Sequence, residues 1–483
     1  MNGLEAMKNS RIARVMFRPF ASLWLLLFVV AAHTSGMEAA STAQPKPLTV
    51  PAGDTQRLSP KDHVYLDPEV LSEYGLVTFI DTERWGAPRR VWVGALDPMT
   101  GLWKKGDGRD TLFDTGHSSL QFTNTGSEWA LDRNGWSVVY TKEVDGIPHM
   151  WRGYLDGKKV VAKPITSGEI PAFGGVGSIN PNADSTRIIA ISGAWDGGEK
   201  VWVDVKDGTR RHWIQPSIPQ TDGRWIAGTN QLVAVIEEKE HSGQLLLLNT
   251  DTEKSKRITD DHGRKGRFYG WLAPEAGGKV RVLAVRDKRE LVVYEDRGGK
   301  FWEAIQTHRP PNDGVGMSSP EPFWAGGRSY ATVSVGLRME PGTRRRETQI
   351  WILDLSGENK PPVRGDDGSS DPGHRTDAEV FVGAEQVFVI HTYHPPGRQV
   401  EVRRTATGIR SHPSSKKRYP QRTSADAAPS TPGAGTAART DAGKAAESTK
   451  AAVPGAAPTA ENFKQAADYS ARHSGRAVLV MVA

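Results

Sequence analysis

Two short motifs carry residue types that can do chemistry. Residues 414–417 (SSKK) match the Ser-x-x-Lys spacing, in which a lysine on the same helical turn helps to deprotonate a nucleophilic serine. They lie in a polar stretch bounded by prolines, so we interpret the match as coincidence. Asn249, Asp251 and Glu253 alternate like the ligands of a calcium loop. Lys254, however, stands where that loop needs glycine for its turn, which favours a solvated hairpin.

Other chemistries are excluded by what the sequence lacks. The 483 residues include no Cys, which rules out disulfides, thiolate metal sites and cysteine nucleophiles. There is no Gly-x-Ser-x-Gly elbow, no Gly-rich phosphate loop and no His-Glu-x-x-His helix. The 13 His are scattered without ligand spacing. The sequence therefore predicts no catalytic residues, no metal site and no cofactor.

The net charge of +6 is concentrated at the two ends of the chain. Residues 1–36 carry +3 and residues 411–483 carry +5, which leaves about −2 for the middle. A nucleic-acid-binding domain needs a clustered basic face of its own, and charges at the ends do not supply one. We therefore expect no nucleic-acid partner.

The N-terminus has the order of a secretory signal peptide. Four basic residues precede the apolar run 21–32 (ASLWLLLFVVAA), and small and polar residues follow it. Twelve apolar residues are short of the roughly 20 that a membrane-spanning helix needs. We predict a signal peptide over residues 1–36, no stable membrane span after its cleavage, and a periplasmic or secreted protein of the bacterial envelope.

A repeat of one kind of apolar segment runs through the middle of the chain. Each copy is a β-rich run that ends in a polar turn, and successive copies start 44 to 59 residues apart. The copies start near Val91, Met150, Val201, Leu245, Leu291, Ile350 and Val400. A period of about 40–50 residues is typical of β-propeller blades.

Further strands complete each unit of the repeat. Another strand-like run precedes each copy, at an offset of 11 to 21 residues, and most units have one more run before and after this pair. Four antiparallel strands make a blade, so the fold class is all-β, a β-propeller of seven blades or alternatively six. The last unit lacks a fourth strand, and residues 48–58 form a stray strand ahead of the first. We expect that N-terminal strand to close the last blade.

The repeat resembles that of TolB-type propellers. In these, an Asp-Gly or Asn-Gly turn leads into a strand, a polar hairpin and a Trp-bearing strand that ends in Asp-Leu or Leu-Asp and Gly. The best matches are residues 132–157 and 182–208, with 350–357 a partial one. The resemblance covers residues 48–410 and implies a module that binds proteins, peptides or sugars, or that sits beside a catalytic domain.

Two sets of side chains follow from this architecture. Trp92, Trp151, Trp202 and Trp351 recur at one strand position, which predicts packing between blades. The hairpins between second and third strands should ring the mouth of the central channel, where a rigid scaffold presents binding residues. The candidate binding residues on these loops are Arg84, Trp85, Trp195, Asp196, His241, Arg344, Arg345, Arg346 and His394. Three consecutive Arg suit an anionic or carboxylate group.

The region after the repeat divides in two. In residues 421–460, 31 of 40 positions are Ala, Pro, Ser, Thr or Gly, which predicts a disordered linker over 411–459. Residues 460–483 read as a helix and one strand, the fragment of a domain that we expect to be truncated. Within it, residues 466–482 resemble the opening of β-lactamase-like serine hydrolases. With the signal peptide at 1–36, the propeller takes residues 46–410.

Two functions fit this sequence. The first is an exported, monomeric binding module for a protein, peptide or glycan, without catalysis of its own. The second is the accessory region of a β-lactamase-like serine hydrolase whose catalytic domain is truncated or encoded separately. Whether the chain is an enzyme is left open, with a non-catalytic role preferred.

Overall fold

The computed structural model describes most of residues 55–411, and all of the described residues belong to one compact unit of the chain. The described ranges are 55–83, 89–116, 126–193, 199–206, 210–212, 223–236, 243–311, 314–337, 347–358, 360–368, 373–396 and 399–411. The predicted signal peptide, the linker from residue 412 onward and the fragment 460–483 lie outside these ranges, as do residues 414–417. They remain predictions.

The described residues form 28 strands and one short 3-10 helix, Pro274–Ala276. The strands of the first four blades are β2 Val64–Leu71, β3 Leu76–Thr82, β4 Arg90–Ala95, β5 Thr111–Thr115, β6 Glu128–Asp132, β7 Gly135–Val144, β8 Ile147–Asp156, β9 Lys159–Pro164, β10 Ala172–Gly177, β11 Arg187–Ser192, β12 Glu199–Asp204, β13 Arg210–His212, β14 Gly223–Ile226, β15 Gln231–Ile236, β16 Gln244–Asn249 and β17 Lys254–Arg257. Those of the last three are β18 Lys265–Ala273, β19 Lys279–Arg286, β20 Glu290–Glu295, β21 Glu303–His308, β22 Gly316–Ala325, β23 Arg328–Gly336, β24 Thr348–Asp354, β25 Val363–Arg364, β26 His374–Val382, β27 Gln386–His394 and β28 Glu401–Arg410, with β1 Thr55–Arg57.

These strands form a seven-bladed β-propeller. Each of the seven sheets has four antiparallel strands, and in six of them the strands are consecutive in the chain. The predicted second and third strands of every unit are present, and the alternative of six blades is wrong. The first strands of neighbouring blades contact each other all round the ring, so each blade places its first strand at the centre.

The last blade is closed by the N-terminal strand, as predicted. β1 pairs with β28, with Thr55 opposite Thr405 and Arg57 opposite Arg403. The predicted segment was residues 48–58, and the paired part is Thr55–Arg57. The backbone amide of Leu58 continues the contact by donating to Val402 O at 2.8 Å. Closure joins the two ends of the repeat and removes an open sheet edge.

The core lies between the blades, because a sheet whose two faces are both apolar must be covered on both sides. One cluster joins Val176, Ile189 and Trp202 of the third blade to Trp225 and Leu232 of the fourth. The other three recurring Trp also belong to or pack on such clusters, which confirms the predicted packing role: Trp92, Trp151 and Trp351. In the part of the chain that the structure describes, no helix has the length and apolarity required to cross a bilayer.

Candidate functional site

Of the nine predicted binding residues, the structure describes only His394. The other eight lie outside the described residues and remain predictions: Arg84, Trp85, Trp195, Asp196, His241, Arg344, Arg345 and Arg346. His394 ends β27 and is half-buried, and its ring centroid lies 5.8 Å from that of His374 on the neighbouring strand β26. The charge of His394 opposes the rise in the pKa of Asp377. Asp377 lies two residues before the buried Glu379 in the central strand β26. The one described candidate therefore lies beside a site that the sequence analysis missed.

That site consists of acidic residues on the central strands. Glutamates occupy the first strands of four consecutive blades, the sixth, seventh, first and second, at Glu321, Glu379, Glu69 and Glu128. Each of the four is only 1–2% exposed. Acidic side chains are seldom buried so completely without a partner, so their recurrence in four central strands demands an explanation.

In three of these strands the glutamate follows a β-bulge at the same place. The bulge residues Asp67, Ser319 and Asp377 have φ of 49°, 44° and 49°, and the pairing register shifts just after each of them. A bulge inserts one unpaired residue, which bends the strand and redirects the side chains around it. Left-handed backbone costs energy in residues other than Gly, and Asp tolerates it better than most.

Electrostatic coupling shows that these side chains face one region. The negative charges of Glu128, Glu379, Asp67 and Glu321 disfavour ionisation of Glu69. Asp67 lies on the same blade as Glu69, and the three glutamates lie on the other three blades. We define the axial cluster as the acidic groups and the two side chains that interact with them across the ring. Its members are Asp67, Glu69, Glu128, Arg224, Tyr269, Glu321, Asp377 and Glu379.

Arg224 supplies positive charge from the opposite side of the ring. It lies on β14 in the fourth blade, three blades away from Asp67, and yet its charge lowers the pKa of Asp67 and of Glu128. Its Nε donates to Tyr269 Oη at 3.2 Å, and the guanidinium carbon lies 5.4 Å from the centroid of that ring. The acidic residues and Arg224 therefore share the centre of the propeller.

Burial dominates the protonation of the axial cluster. Loss of solvation, followed by the neighbouring charge of Asp377, raises the pKa of Asp67 to about 8. Loss of solvation also raises the pKa of Glu379 to about 7, although interaction with the Glu321 carboxyl group and a hydrogen bond from Val70 N (3.5 Å) lower it. The pKa values of Glu69, Glu128 and Glu321 are raised well above the usual range, again chiefly by burial. Burial therefore favours the neutral, protonated form of these carboxyl groups.

The buried glutamates have unused hydrogen-bonding capacity. Within the described ranges, one carboxyl oxygen has no hydrogen-bond partner on each of Glu69, Glu128, Glu321 and Glu379. An unsatisfied buried oxygen costs about 1–3 kcal/mol. In the same part of the chain, no three His, Asp or Glu side chains are grouped as a metal site would require. What the cluster can do is accept hydrogen bonds from a ligand and exchange protons as the ligand binds.

Residues 249–253 form a turn, as the sequence favoured. Asn249 Oδ1 accepts the backbone amides of Asp251 (2.9 Å) and Thr252 (3.2 Å). The Asp251 carboxylate pairs with Arg187 Nη1 at 2.7 Å and accepts Asn230 Nδ2 at 3.0 Å. These groups tie the β16–β17 hairpin to neighbouring strands, and the carboxylate of Asp251 is already engaged by protein groups.

The sequence held a signal for the axial cluster. The first strands of the first, sixth and seventh blades contain Asp-Pro-Glu (67–69), Ser-Pro-Glu (319–321) and Asp-Ala-Glu (377–379), each ahead of apolar residues. An acidic residue is unusual in a buried strand, so a pattern of apolar runs does not include these glutamates. The signal is a glutamate that recurs at the same position in the first strands of these three blades.

The fold has many counterparts among solved structures. Oligogalacturonate lyase from Vibrio parahaemolyticus is 10% identical over 76% of this chain and 98% of its own, with a TM-score of 0.45. The β-propeller domain of the trilobed protease from Pyrococcus furiosus is 12% identical over 73% and 95% (0.44). A putative TolB from Agrobacterium tumefaciens is 10% identical over 59% and 90% (0.34). No family model matches the chain, and no curated protein matches it in sequence. None of these comparisons supports the β-lactamase-like resemblance of residues 466–482.

Proposed function

We propose that this chain is an exported binding module that holds a protein, peptide or glycan ligand at the centre of its propeller. The observation that carries the proposal is the axial cluster, where four blades bring together buried carboxyl groups that each keep an unpartnered oxygen. Stability alone would favour apolar residues at these positions, because an unsatisfied buried polar group is costly. A site that trades stability for accepting groups is typical of binding.

The ligand reaches this cluster from the end where the first strands begin. Asp67 and Asp377, two residues ahead of buried glutamates, are half-buried, and His374 at the start of β26 is exposed. We expect the loop with Arg344, Arg345 and Arg346 to belong to the same face, because the hairpin between second and third strands emerges there in a propeller. We assign this loop the role of contacting the outer part of the ligand.

The remaining parts of the chain fit the same proposal. Residues 1–36 direct export to the periplasm or beyond, and the linker 411–459 tethers residues 460–483 to the propeller. We assign the chain no reaction and treat it as a monomer. The hydrolase-accessory alternative depends on residues 460–483, which lie outside those described.

The test is capture of a ligand by the full chain. Tagged protein is incubated with an envelope extract of the producing cells, crosslinked, and compared with Glu128→Gln and with a triple Arg344→Ala, Arg345→Ala, Arg346→Ala variant. Glu303→Gln is the matched control, because Glu303 is exposed on the outer strand β21. We expect one captured species that Glu303→Gln retains and Glu128→Gln loses. Absence of a specific species, or equal recovery by all variants, would refute the proposal.

A further inference from the structure

Building on the proposed function, we infer that the axial cluster binds the guanidinium group of an arginine side chain that the ligand presents. Three features of the described residues point to this class of ligand: the charge balance of the cluster, the spread of its carboxyl groups, and the arginine that the cluster already accommodates.

The charge balance leaves room for a further cation. The cluster contains six acidic groups, whereas the described residues supply two permanent cations that act on them, Arg224 and Arg267. Arg267, His374 and His394 act on Asp377 from the outer end. Burial raises the pKa values of the acidic groups and so favours their neutral, protonated forms before a cation enters. An entering cation would replace those protons and convert neutral carboxyl groups into paired carboxylates.

The positions of the carboxyl groups favour an organic cation over a metal ion. A metal ion needs its oxygen ligands within about 2.0–2.6 Å of one point. Among the described residues, no three acidic or His side chains come together in this way. A guanidinium group instead offers five N–H donors in a planar fork, which can reach carboxyl groups that are too far apart to share a metal. The four unpartnered oxygens, one per buried glutamate, are acceptors of the kind that fork requires.

Arg224 shows that this environment accepts a guanidinium group. It is half-buried on β14, donates to Tyr269 Oη and lies against the Tyr269 ring, which is itself only 4% exposed. Guanidinium is more weakly hydrated than ammonium, so its transfer to a buried site costs less. The aromatic ring adds a surface on which a flat cation stacks. These properties favour arginine over lysine as the residue bound.

The test uses small probes with the full chain. N-acetyl-arginine amide is titrated and followed by ligand-observed NMR. N-acetyl-citrulline amide, its uncharged isostere, and N-acetyl-lysine amide are titrated in parallel. We expect the arginine probe to bind at least about tenfold more tightly than the uncharged citrulline probe, because charge-assisted hydrogen bonds are the stronger ones. It should also bind more tightly than the lysine probe, because guanidinium is less strongly hydrated and offers a planar fork of donors. Equal affinity for arginine and citrulline, equal affinity for arginine and lysine, or no binding of the arginine probe would each overturn the inference.

Matched variants locate the site. Glu128→Gln and Glu69→Gln keep side-chain shape and remove the charge that the cation needs, so each should weaken the arginine probe by about tenfold. Glu303→Gln on the outer strand should leave the affinity unchanged. Thermal melting checks that each variant folds, and the comparison of probes on the unmodified chain needs no variant at all. Unchanged affinity in both folded cluster variants would contradict the site.

Failure of this inference is distinct from failure of the proposed function. A ligand captured from the extract, together with no preference for the arginine probe, would overturn the inference and leave the binding module intact. Preference for the arginine probe with no captured ligand would support the inference and count against the proposed function.

Discussion

Glu321 on the sixth blade and Glu379 on the seventh are buried carboxyl groups whose charges act on each other across the boundary between their blades. Each negative charge disfavours ionisation of the other group. Burial and the adjacent charge of Glu379 raise the pKa of Glu321 well above the usual range. Glu379, which accepts a hydrogen bond from Val70 N at 3.5 Å, has a pKa of about 7.

This pair predicts that the protein loses stability as the pH rises. The pKa of Glu379 in the folded state, about 7, exceeds its unfolded value of 4.5, so the folded state binds more protons between these values. The contribution is therefore fully present below the unfolded pKa and is lost as the pH passes through the folded pKa. We expect the free energy of unfolding to fall by about 1–3 kcal/mol between about pH 5 and pH 8, measured by denaturant titration.

The control for this prediction is a neutral side chain at the same place. Glu379→Gln removes the titrating group, so its stability should change less with pH than that of the unmodified chain, whereas Glu303→Gln should follow the unmodified chain. A stability that rises across the same interval would mean that the carboxyl groups are ionised in the folded state.

Closure of the ring predicts a cost for removing Leu58. Its side chain is 5% exposed in a cluster shared with the last blade, and its carbonyl accepts Trp103 Nε1 at 3.0 Å. Leu58→Ala should lower the free energy of unfolding by about 2–4 kcal/mol. Hydrogen exchange should then speed up in β28, the strand that β1 covers. Met99→Ala, at a side chain 48% exposed, should do neither. Exchange that accelerates equally in all blades would show that the effect is not at the closure.

Gly101, between the first and last blades, predicts a second destabilising substitution at the closure of the ring. Gly101 has φ of 66°, and a Cβ there would lie 2.7 Å from Phe388 Cγ, a buried core atom. Gly101→Ala should destabilise by about 2–3 kcal/mol, the sum of backbone strain and displaced packing. Gly106 has a comparable φ of 47°, and a Cβ there would have no atom within 4 Å. Gly106→Ala therefore measures backbone strain alone and should lower the free energy of unfolding by about 1 kcal/mol. Equal melting temperatures for the two variants would contradict the packing argument.

The architecture was predictable because each blade repeats the same local signals. Apolar runs such as those of β11 (Arg187–Ser192) and β15 (Gln231–Ile236) precede the repeated segments at the predicted offset and are bounded by polar turns. Closure was predictable too, because an unpaired strand at one end of the repeat can supply the strand that is missing at the other end, which removes open sheet edges. These features depend on local pattern and edge pairing, which a sequence displays directly.

The axial cluster was not predictable by the same means. Glu69 and Glu128 are 59 positions apart, and only the closed ring brings them together. Strand prediction discards acidic residues, since β-propensity and burial both count against them. The bulge at Asp67 that redirects these side chains depends on pairing with β3, which cannot be seen in the first strand alone. His394, chosen for its loop position, acts electrostatically on Asp377 of the cluster, and its role in binding stays a prediction.

Binding of the arginine probe should strengthen as the pH rises. A cation is bound by the ionised cluster, and Asp67 and Glu379, with pKa values of about 8 and about 7, lose their protons over the neutral range. Any positive charge on His374 or His394, which act on Asp377, repels the cation and is lost as the pH rises. We expect the dissociation constant of N-acetyl-arginine amide to fall by about tenfold between about pH 6 and pH 8.5.

Proton release gives an independent measure of this coupling. Below the folded pKa values the probe must displace protons from the cluster, so calorimetry in two buffers of different ionisation enthalpy should report protons released per probe bound, more at pH 6.5 than at pH 9. In Glu379→Gln fewer protons should leave. In Glu303→Gln the number should match the unmodified chain. Since the stability prediction has the opposite slope, the unliganded protein should be most stable where it binds the probe least. A probe whose affinity falls with rising pH would show that it binds elsewhere.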